Sequence, residues 1–224
     1  MNFLGAPFLV LRDTQGFLDE VRRGEGLRGK AVSLFVSSFV LFAVFGAIMG
    51  SFDGPLQALS SAVKLPVLFL LTVLICLPTL YVACLFLGAR EKVEQYAVAL
   101  LGTLAVTAVL LVSFAPVSVF FMLTGSHYQF FKLLNVTFLS ISGLVGIRFF
   151  GRVVQAIWGD AGAVRKNVLL PWMFLYAFVG TQLGWALRPF FGAPGEKFEV
   201  VRQLDGNFYV NVGRSMGEAL GLSE

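Results

Sequence analysis

The chain has 224 residues, of which 57% are hydrophobic and only 13% charged, and its net charge is +4. A soluble domain carries about 25% charged residues, and a single core of this size cannot hide so much apolar surface. The mean hydropathy of +0.82 therefore points to lipid as the solvent. The basic residues gather at the ends of apolar runs, so the positive balance does not indicate a nucleic-acid partner.

Residues 1–30 are amphipathic. Phe17, Leu18 and Val21 recur at helical spacing between Asp19, Glu20, Arg22 and Arg23. Such a segment fits a helix lying on the membrane surface, broken near Pro7 and Gly16, or one packed on the protein's own cytoplasmic face. It is too charged for a signal-peptide core. The first span, 31–52, is free of charge and long enough to cross the hydrocarbon. It carries Gly46 and Gly50, a G-x-x-x-G pair suited to close helix contact.

Residues 53–65 open on an Asp53-Gly54-Pro55 turn signal. Leu56, Leu59, Ala62 and Val63 then recur at helical spacing, with Gln57, Ser60, Ser61 and Lys64 between them. This predicts a separate interfacial or re-entrant helix before the second span, 66–88, where Pro78 should introduce a kink. A polar turn at 89–95 leads to the third span, 96–123, with Ser113 and Pro116 toward its far end. A short loop with His127, the single histidine, precedes the fourth span, 130–150, to which Gly143 and Gly146 give a slim face. After a basic loop, the fifth span covers 168–187. The polar tail predicts two short strands, 198–201 and 208–212, around a turn at 204–207. A lone hairpin is marginal in water and needs something to dock on.

The fold class read from this pattern is an all-α polytopic membrane bundle of five transmembrane helices with a short C-terminal hairpin outside the membrane. The domains are an N-terminal segment at 1–30, a membrane domain at 31–191 and a tail at 192–224. Eleven Lys and Arg residues fall on the N-terminal side and six on the other. The positive-inside rule then places the N-terminus in the cytoplasm and the tail outside, as in a bacterial inner-membrane protein.

Chemistry-bearing patterns are few. One histidine and two cysteines, Cys76 and Cys84, make no metal-ligand spacing. No Walker loop or H-E-x-x-H occurs. No catalytic site and no cofactor is therefore expected. Lys64, Lys132, Arg148 and Arg188 sit near span ends, where they can snorkel. The hydroxyls within spans, among them Thr103, Thr107 and Ser142, and the Gln182 amide suit helix–helix hydrogen bonds or the walls of a conduction path. The most distinctive stretch runs from Gly180 to Gly192, GTQLGWALRPFFG. Its Trp185 and Arg188 fit an aromatic belt and lipid phosphate, or a docking surface formed with Gln182. Gly46, Gly50, Gly180, Gln182, Gly184, Trp185 and Arg188 are thus the candidate contacts for lipid, for another integral membrane protein, or for a second copy of the chain.

The run from Leu11 to Gly29, LRDTQGFLDEVRRGEGLRG, resembles the start of bacterial members of the Yip family of multi-span membrane proteins. The likeness covers roughly residues 11–150 and lies in the layout. It implies a five-span bundle with a cytoplasmic N-terminus. Eukaryotic relatives in that family are associated with trafficking and small GTPases, and no functional residue carries over. The expected function is a non-catalytic accessory or scaffold subunit of a membrane complex. A small channel or transporter with a Thr/Ser-lined path is the alternative.

Overall fold

The computed structural model describes residues 5–125, 127–158 and 162–192. They form seven helices: α1 (Ala6–Arg12), α2 (Thr14–Arg23), α3 (Leu27–Gly50), α4 (Pro55–Phe86), α5 (Val93–Leu123), α6 (Tyr128–Trp158) and α7 (Gly162–Ala186). No strand occurs among the described residues. Five helices, α3 to α7, are long and apolar enough to cross a membrane. The chain is thus an all-helical bundle of the integral-membrane kind. The expected C-terminal hairpin lies outside the described residues.

The N-terminal segment breaks at Asp13, not at Gly16. Asp13 leaves helical geometry (φ −127°, ψ 67°), and its side chain accepts a hydrogen bond from Gly16 N at 2.9 Å. That is an N-cap, and it explains the glycine: a Cβ at Gly16 would run into the Asp13 carboxylate. Pro7 does not break α1; it sits in the first turn, where its missing N–H costs nothing. The apolar stripe of α2, Phe17, Leu18 and Val21, is buried in the bundle. Phe17 stacks on Phe149 of α6 at 6.3 Å. Gln95 Nε2 donates to the Val21 and Arg22 carbonyls at 2.8 and 3.1 Å, which satisfies carbonyls at the end of α2. So α2 packs on the protein itself, the second of the two placements its pattern allows.

The spanning helices form an arc in the order α7, α4, α3, α5, α6, and α6 and α7 barely meet across its opening. α5 is the centre: 56% of its most apolar window is buried, against 6% for α7. α3 lies against α4 with Phe42 stacked on Phe69 at 4.3 Å, and α5 against α6 with Phe114 stacked on Phe138 at 4.4 Å.

Several boundaries differ from the sequence expectation. α3 starts at Leu27, because Arg28 can point outward from the first turn. α6 runs on to Trp158, because Val153, Val154, Ile157 and Trp158 are buried while Arg148 and Arg152 stay exposed. The largest difference is at 53–65. This segment is the first third of one continuous helix, α4, with both Pro66 and Pro78 inside it. Proline removes a backbone donor and normally ends a helix. Here packing against α3 outweighs that cost.

Candidate functional site

The packing that merges 53–65 into α4 rests on the first glycine pair. A Cβ at Gly50 would stand 2.5 Å from the Gln57 carbonyl oxygen, and one at Gly46 would strike the Ser61 carbonyl. Both glycines are buried, and the two backbones touch where side chains would hold them apart. The first G-x-x-x-G pair is therefore filled by α4 of the same chain.

The face of α4 beyond that contact carries Gln57, Ser61 and Lys64, at i, i+4 and i+7. All three are buried, while Leu56, Leu59 and Val63 are exposed. This inverts the soluble-protein arrangement, since lipid accepts leucine and not an amide or ammonium. The polar stripe grips the strap that follows α7. Gln57 Nε2 and Lys64 Nζ donate to the Pro189 carbonyl at 2.9 and 3.0 Å, and Ser61 Oγ donates to the Phe190 carbonyl at 2.5 Å. Tyr128 Oη donates to the Gly192 carbonyl at 2.6 Å. Phe52 packs over Phe131 and Tyr128, so the ends of α3, α4, α6 and α7 meet at one end of the bundle. Lys64, expected to snorkel, is 6% exposed and held on the strap instead.

The residues of the 180–192 stretch separate into two groups. Arg188 lies over the Trp185 ring, 3.4 Å from its centroid, just before the cis Arg188–Pro189 peptide bond. Gln182 is half-buried on α7. The second glycine pair is not filled as the first is. A Cβ at Gly180 would make ordinary contact with Thr72 at 3.7 Å, and one at Gly184 would meet nothing within 4 Å among the described residues. The sequence pattern sets Gln57, Ser61 and Lys64 between the leucines and assigns Lys64 to snorkelling, but does not mark the three as a contact site. Their signal was there, as three polar residues on one helical face next to a membrane span.

The spanning hydroxyls mostly serve their own helices. Thr72, Thr103, Thr107, Ser113, Thr137 and Ser140 each donate to the carbonyl four residues back. Ser118 Oγ to Asn135 Oδ1 at 2.9 Å is an interhelical bond, between α5 and α6. Trp172 Nε1 on the Cys76 carbonyl at 3.0 Å joins α7 to α4. Among the described residues, the buried Ser38, Ser60 and Ser142 hydroxyls meet no hydrogen-bond partner. At the other end of the bundle Trp158 Nε1 donates to Tyr96 Oη at 3.2 Å. Among the described residues, no three His, Cys, Asp or Glu side chains gather where they could hold a metal ion. Cys76 and Cys84 are buried and are not joined in a disulfide.

No protein-family model, curated protein or solved structure matches this chain.

Proposed function

We propose that the chain is a non-catalytic accessory or scaffold subunit of a membrane complex, and that α7 is the helix that meets its partner. The observation that carries this reading is the contrast between the two glycine pairs. Gly46 and Gly50 are spent on packing within the chain, whereas among the described residues nothing would meet a Cβ at Gly184, on the least buried span. Small residues one turn apart let another transmembrane helix approach closely enough for backbone contact. Phe174 and Phe178 are exposed on the same helix and add apolar area to it. The strap and the Trp172 bond fix α7 on α4, so it presents a preformed surface. The Lys and Arg distribution and the resemblance to the Yip family support a cytoplasmic N-terminus in a bacterial inner membrane.

The test is purification of the tagged chain from its native membrane in mild detergent, with mass spectrometry of what accompanies it. One stoichiometric integral membrane protein, lost on Gly184→Ile, supports the reading. A lone monomer or a homo-oligomer overturns it and directs attention to flux assays in liposomes.

A further inference from the structure

Gly143 and Gly146 lie one turn apart on α6 but do different things. Gly146 is closed off by the Thr107 side chain of α5. Gly143 has nothing within 4 Å of where its Cβ would stand, and it lines a cavity of about 110 Å³ between α4, α5, α6 and α7. One wall is a run of aromatic rings: Phe150 and Trp172 at 5.2 Å, Trp172 and Tyr176 at 5.5 Å. The indole cannot swing freely, because its N–H is bound to the Cys76 carbonyl. The floor includes Thr103 and Thr107, whose protons are taken up by their own helix.

We propose that this crevice is a binding site for the end of a single lipid acyl chain. Depth, direction and size all select that occupant. Gly143 stands midway along α6 and Tyr176 beyond the middle of α7, so the cavity lies deep in the span, where the surrounding solvent is hydrocarbon. The rim residues Ile147 on α6 and Ala177 on α7 are both exposed, so the crevice opens sideways through the seam that the two helices leave between them. A partner helix, about 10–12 Å across, cannot enter a space of this volume. Water requires two to four polar partners, and these walls are almost wholly apolar, with the Thr103 and Thr107 protons already given to their own helix. A few methylene groups fit. They extend the contact between α6 and α7 beyond the Phe150–Trp172 pair.

The experiment uses the full chain carrying Trp185→Phe, reconstituted in phosphatidylcholine vesicles. Its tryptophan fluorescence is measured with lipids brominated either near the acyl terminus or near the headgroup. Trp172 is 5% exposed and lies beneath the crevice, so lipid around the outside of the bundle does not reach it. The expected result is quenching at least twofold stronger with terminal bromine, lost in Trp172→Phe and in Gly143→Leu, whose side chain fills the crevice from the open position. Ala177→Leu fills it from the opposite rim and gives the same loss if Gly143→Leu fails to fold. Equal quenching by the two lipids overturns the proposal, as does quenching that persists in a folded filled variant.

Discussion

The Lys64 ammonium nitrogen lies 3.0 Å from the Pro189 carbonyl oxygen, so a basic group ten residues into a spanning helix donates to the backbone of the strap that follows α7. The same carbonyl also accepts from Gln57. Lys64→Met removes a buried charge while Gln57 still satisfies the oxygen. It is expected to change stability by less than about 1 kcal/mol, since apolar replacement of a buried charge is often neutral. Lys64→Glu sets a carboxylate against the Pro189 carbonyl oxygen and should cost about 3 kcal/mol or more. Thermal unfolding in detergent separates the two, and equal melting temperatures would show that the strap does not hold α7.

The glycine pairs give opposite expectations for the same substitution. Gly50→Leu drives a side chain into the Gln57 backbone, which cannot give way without parting α3 from α4. A loss of about 2–4 kcal/mol is expected, as for other overpacked interiors. Gly184→Leu meets open space and should leave the melting temperature of the isolated chain within a few degrees of the parent. If both substitutions were tolerated alike, the α3–α4 backbone contact would be refuted.

Ser118 and Asn135 are both fully buried and bonded to each other, and Asn135 Nδ2 also donates to the Phe131 carbonyl at 2.9 Å. Asn135→Leu strands the Ser118 hydroxyl and should cost about 1 kcal/mol, within the range for polar bonds between spanning helices. Adding Ser118→Ala should restore part of the loss. A double-mutant cycle in detergent reads the coupling, and additive effects would rule the bond out as a contributor.

Gln95 ties the end of α2 to the bundle through two carbonyls. Gln95→Ala should loosen that end and speed tryptic cleavage after Arg22 and Arg23 several-fold, with little change in global melting. Unchanged cleavage would mean that Phe17, Leu18 and Val21 hold α2 without it.

Much of the architecture was legible in the sequence. Uninterrupted apolar runs of spanning length leave a chain no other way to satisfy its backbone in lipid, so the number and type of spans follow from composition and period. The amphipathic α2 was legible for the same reason, since Phe17, Leu18 and Val21 share one face. The sequence could not say whether that face meets lipid or protein, because both are apolar. Only the fold decided it, by placing Phe149 and Gln95 opposite α2.

The same ambiguity hid the grip on the strap. Period alone marks Gln57, Ser61 and Lys64 as one face of a helix and Leu56, Leu59 and Val63 as another, and in water the leucines would turn inward. In a membrane the polar face turns inward if there is something to receive it, and that receiver is a carbonyl pair about 130 residues away in the chain. Two identical G-x-x-x-G spacings likewise met different fates. A glycine records that a backbone can be approached, but which helix approaches is set by the order in which the helices pack around α5.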